Sequence, residues 1–132
     1  MARQNVYSGA PWEPKVAYCR AKRVGDAIYV SGTVAVDERG EVVAPGDMYE
    51  QSRYALAKIA RALGELGATL ADTVRTRAFV TDLEQFDGFA RAHCEAFSGI
   101  DPAATLVEVS RLVRPELVVE IEVDAVVDAG GG

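Results

Sequence analysis

The sequence has no long apolar run, and no stretch approaches the ~20 apolar residues that a membrane-spanning helix requires. Arg3, near the N-terminus, is not followed by the apolar segment of a secretory signal. Only two cysteines are present, Cys19 and Cys94, and their wide separation indicates neither a metal cluster nor a disulfide framework. We therefore expect a cytoplasmic protein, not bound to a membrane, with reduced thiols.

Positive charge is also scarce. The chain has 14 Lys and Arg against 20 Asp and Glu, which gives a net charge of -6. Because negative charge repels phosphate groups, we expect no nucleic-acid partner. The single histidine, His93, and the lack of a Walker loop or a GxGxxG motif leave zinc and nucleotide sites without support, so the sequence predicts no metal and no cofactor.

The remaining composition, 49% hydrophobic and 26% charged, is typical of one globular domain, which we place at residues 1–132 with a core at about 16–127. Residue periodicity predicts the order ββαβαββ and therefore an α+β fold, a mixed sheet with two helices on one face. The predicted strands are 18–24, 27–36, 72–81, 104–112 and 117–127, and the predicted helices are about 47–67 and a second one that opens at Asp82. The tail at 130–132 is the only low-complexity segment.

Turn and helix signals support these assignments. The Gly25-Asp26 step predicts a two-residue hairpin turn between the first two strands. Asp47 and Gly67 are typical of the start and the end of a helix. The apolar stripe of the second helix comprises Phe86, Phe89, Ala90, His93 and Phe97.

Alternation along two predicted strands separates a helix-facing side from a charged second side. In the last strand, the helix-facing residues are Val119, Ile121, Val123 and Ala125, and the others are Glu120, Glu122 and Asp124. In the strand at 72–81, one side carries Val74, Thr76, Ala78 and Val80, and the other carries Thr73, Arg75, Arg77 and Phe79. The second side is either solvated or, with Val118 and Phe79 among its charges, covered by another subunit.

Several motifs together resemble the Rid family, also called the YjgF or reactive-intermediate-deaminase family. They span roughly residues 16 to 127, nearly the whole domain. The motifs are Tyr18, Val30-Ser31-Gly32-Thr33, Gln51, Gly67, the run from Val74 to Asp82, Pro102, Val107-Glu108-Val109, Leu112 and Val119-Glu120-Ile121-Glu122. The resemblance implies a chorismate-mutase-like fold and a homotrimer, in which the sheets form a central barrel with three clefts between subunits.

The resemblance also implies an activity and a set of site residues. Family members best known for activity hydrolyse enamines or imines such as 2-aminoacrylate to a keto acid and ammonia, without a cofactor or a metal. By this resemblance Glu120 is the acid that positions or activates water, and Tyr18 is the tyrosine of the cleft. Ser31 and Gly32 match the serine-glycine strand end, and Leu106 falls where the family supplies a cleft-lining backbone group.

One family residue is replaced. Ala104 stands where the family has the arginine that binds the substrate carboxylate, and the family's asparagine on the second helix is also missing, near Ala90 or Arg91. The lost charge-assisted hydrogen bonds are worth about 1.5–3 kcal/mol each. We therefore expect a substrate other than 2-aminoacrylate, one that need not bear an α-carboxylate. Arg91 is a candidate replacement cation, although a solvated helix arginine is the favoured interpretation.

The other candidates have structural interpretations as well. Glu120 could instead form a charge pair on the sheet, Tyr18 could pack in the core, and Ser31 could simply end a strand. Packing is favoured for His93 and Cys94, which lie on or beside the apolar stripe of the second helix. Alternation leaves open the side to which Glu108 points.

Three functions follow, in order of preference. The first is a Rid-like hydrolase of a small imine, enamine or related carbonyl-derived compound. The second is a trimeric binder of small metabolites that has lost the chemistry, and Ala104 favours it. The third is a ribonuclease or translation inhibitor, as some family members are described, and the acidic charge opposes it.

Overall fold

A computed structural model describes residues 1–128. Its helices and strands are, in chain order, β1 Arg3–Val6, α1 Trp12–Val16, β2 Ala21–Val24, β3 Ala27–Val34, α2 Met48–Glu65, β4 Thr73–Val80, α3 Phe86–Phe97, β5 Ala103–Glu108 and β6 Val119–Val126. The strands form one sheet in the order β1-β2-β3-β6-β4-β5, antiparallel except for the parallel pair β4 and β5. This confirms the mixed α+β fold. The predicted low-complexity tail at 130–132 lies outside the described residues.

The β2–β3 hairpin turns at Gly25 and Asp26, as predicted. Both of its strands are shorter than the predicted ranges 18–24 and 27–36. Gly25 has a φ of +59°, which a residue with a side chain adopts only with strain. α2 begins after Asp47, whose side chain accepts a hydrogen bond from Glu50 N at 3.0 Å, and it ends before Gly67, which has a φ of +82°. Both predicted ends of this helix are therefore confirmed to within two residues.

The two long helices cover one face of the sheet. α2 packs on β3 and β6, and α3 lies beside it with Phe89, Ala92 and Phe97 buried. Phe86, predicted on the same stripe, is instead 46% exposed at the first position of α3. None of the helices in residues 1–128 has the length and apolarity needed to cross a membrane.

β6, at the centre of the sheet, shows the predicted alternation. Its helix-facing residues Val119, Ile121, Val123 and Ala125 are all buried. Glu120, Glu122 and Asp124 therefore point to the opposite side, which we call the outer face. Each lies next to a β4 residue of the same face, namely Phe79, Arg77 and Arg75.

Two predictions about the faces of the sheet are wrong, and two elements near the N-terminus were not predicted. In β4, Thr73 is 4% exposed and Val74 is 47% exposed, because the register shifts between Thr73 and Arg75 and reverses the alternation at that point. Val118 is buried in the core, because its backbone N–H donates to the buried side chain of Gln51 before β6 begins. β1 and α1 were not predicted, since neither carries a regular apolar pattern.

Candidate functional site

The site begins at a bulge in β3. Val30 pairs with Val123 and Thr33 pairs with Ile121, so Ser31 and Gly32 together oppose a single residue of β6. Ser31 N donates to the carbonyl oxygen of Arg20 at 3.0 Å. Ser31 Oγ donates to the carbonyl oxygen of Cys19 at 2.8 Å. These two bonds hold the bulge against the segment that enters β2.

Glu120 lies directly over the bulge on the outer face. A Cβ atom at Gly32 would overlap Glu120 Oε2, so a side chain at this position would displace the carboxylate from where it lies. The Glu120 side chain is half-buried. Burial raises its pKa above the ordinary value, the charge of Arg20 partly opposes this effect, and the charge of Glu122 adds to it. The result is a carboxyl group that holds its proton more tightly than an exposed one.

Arg20 is the site residue that the sequence did not reveal. Its Nη2 donates to the carbonyl oxygen of Gly32 at 2.7 Å, and its guanidinium lies 5.8 Å from the ring centroid of Tyr18. Within residues 1–128, its buried Nε has no hydrogen-bond partner. In the sequence, Arg20 is marked only by its position two residues after Tyr18. That position points to the site only once the structure shows that Arg20 contacts the bulge.

Tyr18 also lines a surface cavity of about 450 Å³. The cavity is lined by residues that include Tyr7, Glu13, Tyr18 and Lys22. Glu13 is buried on α1, and its carboxylate accepts hydrogen bonds from Ser8 N and Ser8 Oγ. This part of the cavity lining could not be predicted from the sequence, because neither α1 nor β1 was predicted.

Ala104 and Leu106 lie elsewhere, on the edge strand β5. They pair with Thr76 and Ala78 and therefore face the helices, whereas Glu120 points to the outer face. Ala104 is exposed, and Leu106 packs against the core. Because β5 pairs only with β4 within the described protomer, one side of its backbone is free, including near Leu106.

His93 lies beneath this edge of the sheet. Its Nε2 is 3.0 Å from Thr76 Oγ1, and its ring packs between Phe89 and Phe97 at centroid distances of 5.3 and 4.6 Å. Burial lowers its pKa, so the imidazole is neutral at pH 7. These contacts favour the packing interpretation of His93.

Three further residues are placed by the structure. The Arg91 guanidinium lies 4.0 Å from the ring centroid of Tyr49 and pairs with Glu95 at 3.6 Å, which favours its structural interpretation. Cys94 is exposed, so its predicted packing is wrong; it falls on the side of α3 that faces away from the sheet. Glu108 faces the helices and accepts a hydrogen bond from Leu83 N at 3.0 Å.

One protomer thus brings together Tyr18, Ser31, Gly32 and Glu120 and adds Arg20 to them. It leaves Ala104, Leu106, Arg91 and His93 on the helix side of the sheet. In the described part of the chain, no group of three or more His, Cys, Asp or Glu residues is placed to hold a metal ion.

Comparison with known proteins identifies the family. Residues 9–127 match the family model described as Endoribonuclease L-PSP. An uncharacterised protein of Streptomyces coelicolor is 34% identical over 125 residues, which cover 94% of this chain and 92% of that protein. A RutC family protein of Pyrococcus abyssi is 34% identical over 123 residues, which cover 92% of this chain and 95% of that protein.

Solved structures of related proteins also match this chain over nearly its whole length. The crystal structure of a Mycobacterium tuberculosis member of the YjgF/YER057c/UK114 family is 43% identical, with a TM-score of 0.87 over 96% of this chain and 100% of that one. A protein of the Rid family from Yersinia pestis is 29% identical, with a TM-score of 0.82 over 96% of this chain and 100% of that one. The chain therefore belongs to the Rid family, also called the YjgF family.

Proposed function

We propose that the protein is a cofactor-independent hydrolase, similar to a deaminase, that acts on a small imine, enamine or related carbonyl-derived metabolite. The observation that carries this proposal is the placement of Glu120, a half-buried carboxyl of raised pKa over Gly32, with Arg20, Tyr18 and Ser31 around it. A general acid-base group works best when its pKa lies near the working pH, and burial moves Glu120 in that direction.

The reaction needs one group that takes a proton and gives it back. Water adds to the carbon of a protonated imine while one of its protons passes to the Glu120 carboxylate, which gives a carbinolamine. Glu120 then returns that proton to the amine nitrogen. The C–N bond breaks and releases ammonia while the hydroxyl proton passes to Glu120. Transfer of that proton from Glu120 to the ammonia leaves a carbonyl compound and ammonium and restores the carboxylate. An enamine enters this route once its carbon has been protonated.

We also propose that the working site is a cleft between subunits of a homotrimer. Two features support this. Ala104 and Leu106 lie on an edge strand whose backbone is unpaired on one side in the described protomer. The outer face also exposes Tyr29, Val107 and Val126 among its charges, an apolar surface that a second copy of the chain would cover.

The test is hydrolysis of imines generated in place, those with an α-carboxylate by an amino acid oxidase and those without one by a flavin-dependent amine oxidase. Ammonia release is followed at equal enzyme concentration for the native protein, Glu120→Gln and the control Asp124→Asn. Asp124 lies on the same strand and face but pairs with Arg77 at 3.4 Å. We expect Glu120→Gln to lose about 10²–10⁴-fold in rate and Asp124→Asn to keep the native rate. If no imine is hydrolysed faster than in buffer, the catalytic proposal is wrong.

A non-catalytic binder of small metabolites is the second candidate, and the alanine at position 104 favours it. In that case a ligand raises the unfolding temperature and is recovered unchanged after incubation, whereas steady product formation excludes this candidate. Ribonuclease activity, named in the description of the matched family model, is disfavoured by the net charge of -6.

A further inference from the structure

Two oppositely charged side chains converge on Gly32. The Glu120 carboxylate lies against its Cα atom, and Arg20 Nη2 donates to its carbonyl oxygen at 2.7 Å. The pairs within 4.0 Å among the described residues do not include one between this guanidinium and this carboxylate. The two groups therefore flank the same backbone position without direct contact.

Arg20 keeps capacity to bind an anion. A guanidinium carries five N–H donors in a planar fork that matches a carboxylate. Arg20 uses Nη2 for Gly32, and within residues 1–128 its Nη1 makes no hydrogen bond, so Nη1 remains a donor for a ligand, whereas Nε is enclosed by the protein. The Tyr18 ring, 5.8 Å from the guanidinium, limits the directions from which a ligand can approach.

Three other cations are already engaged. Lys58 Nζ donates to the carbonyl oxygens of Val34 and Val36, at 2.9 and 3.0 Å. Arg23 donates to the carbonyl oxygens of Gly25 and Leu66. Arg77, on the outer face, pairs with two carboxylates. Compared with these three, Arg20 combines nearness to Glu120 with a donor, Nη1, that is not engaged by another residue in the described part of the chain.

We propose that Arg20 is the anion-binding residue of the site, in place of the arginine missing at position 104, and that it selects a small substrate with one carboxylate group. This inference rests on the proposed site. The carboxylate would lie on the Gly32 and Tyr18 side, in the protomer that supplies Glu120, and not at β5. The substrate would therefore lie in the cleft in a different orientation from one whose carboxylate is bound at position 104.

The charges nearby favour a single negative charge. Glu120 and Glu122 lie close enough to each other for Glu122 to raise the pKa of Glu120. A doubly charged phosphate would add repulsion with both of them, whereas Arg20 balances one carboxylate. Inorganic phosphate is therefore a useful competing probe.

The test is calorimetric binding of pyruvate, of its neutral analogue pyruvamide and of inorganic phosphate to the assembled protein at pH 7. The proteins compared are the native chain, Arg20→Gln and the control Arg23→Gln. Glutamine at position 20 still presents an N–H to Gly32 but has no charge. We expect pyruvate to bind about 10- to 100-fold more weakly to Arg20→Gln, because a charge-assisted bond is lost, and equally to Arg23→Gln. Pyruvamide binding is expected to be the same in all three proteins.

A second measurement needs no variant. Phenylglyoxal modifies arginine side chains, and mass spectrometry of the native protein reports the extent of labelling at Arg20. We expect pyruvate to protect Arg20 and pyruvamide to leave it reactive. Equal labelling with and without pyruvate, equal pyruvate affinity in Arg20→Gln, or tighter binding of phosphate than of pyruvate would overturn the inference.

This outcome is separable from that of the catalytic proposal. If no imine is hydrolysed but pyruvate binding depends on Arg20, the anion site stands and the chemistry is absent. If Glu120→Gln abolishes hydrolysis while Arg20→Gln binds pyruvate like the native chain, only the assignment of Arg20 fails. Glu120→Gln itself is expected to bind pyruvate at least as tightly as the native protein, because it removes a negative charge beside the ligand.

Discussion

Glu120 occupies a position that disfavours its charged form. The side chain is half-buried over Gly32, and Glu122 adds a like charge on the same strand, while Arg20 provides only partial compensation. An exposed carboxylate would be more stable but would hold a proton too weakly to return it to a leaving amine. The buried charge therefore lowers the stability of the folded protein, and a neutral residue at position 120 is expected to restore that stability.

Glu120→Gln is expected to raise the thermal unfolding temperature at pH 7. Below the ordinary carboxyl pKa of 4.5, Glu120 is protonated in both the folded and the unfolded chain and is not destabilising. As the pH rises through 4.5, the unfolded chain ionises first, so stability falls until the folded carboxyl has also ionised. The advantage of Glu120→Gln should therefore appear above pH 4.5 and disappear below it.

Calorimetric melts between pH 4 and pH 8, at equal protomer concentration, measure this advantage. Asp124→Asn is the control, because Asp124 is paired with Arg77 and its replacement should give no gain at any pH. A Glu120→Gln protein that melts at or below the native temperature at pH 7 would show that Glu120 is not held at a cost to stability.

At the scale of the elements, Gln51 connects α2 to the segment that enters β6. It is fully buried. Its Nε2 donates to the carbonyl oxygens of Ala44 and Glu116, at 3.1 and 2.9 Å, and its Oε1 accepts from Val118 N at 2.9 Å. These bonds fix where β6 begins and hence which of its residues point to the outer face, so this family motif residue has a structural role.

Gln51→Leu is expected to lower the free energy of unfolding by about 3 kcal/mol, because one buried and two part-buried backbone groups lose their partner and an unpaired buried group costs about 1–3 kcal/mol. Urea unfolding followed by circular dichroism gives the value. The control is Gln4→Leu, at an exposed position of β1. Its free energy of unfolding should stay within about 0.5 kcal/mol of the native value. A loss below about 1 kcal/mol for Gln51→Leu would contradict the assigned role.

Regular elements could be predicted from the sequence because their periodic patterns reflect burial on one face. α2, α3 and the alternation of β6 are of this kind. The β4 register shift at Thr73 and the burial of Val118 could not be predicted, since both depend on pairing with distant parts of the chain. The same limit applies to the site. Glu120 could be predicted from a family motif, whereas Arg20 is identified as a site residue only by its hydrogen bond to Gly32 in the structure.

At the scale of the molecule, the two faces of the sheet differ. Helices cover one face, and the outer face combines ion pairs of Arg77 with Glu122 and Asp124 with exposed apolar side chains. Half-exposed ion pairs contribute little to stability in water, about 0–1 kcal/mol each. Burial of this face between subunits, as proposed above, would remove the apolar surface from water and bring a second protomer onto the face that carries Glu120.

Val107→Lys is expected to prevent this assembly, because Val107 is 43% exposed on the outer face and a buried lysine without a partner opposes association. Light scattering coupled to size exclusion should give about three times the 14.1 kDa protomer mass for the native protein and one protomer mass for the variant. Val113→Lys is the control, since Val113 is 74% exposed outside the sheet, and it should remain trimeric. Imine hydrolysis should be lost only in Val107→Lys. A native protein that is monomeric, or a Val107→Lys protein that is still trimeric, would contradict the assignment of the outer face as the subunit interface.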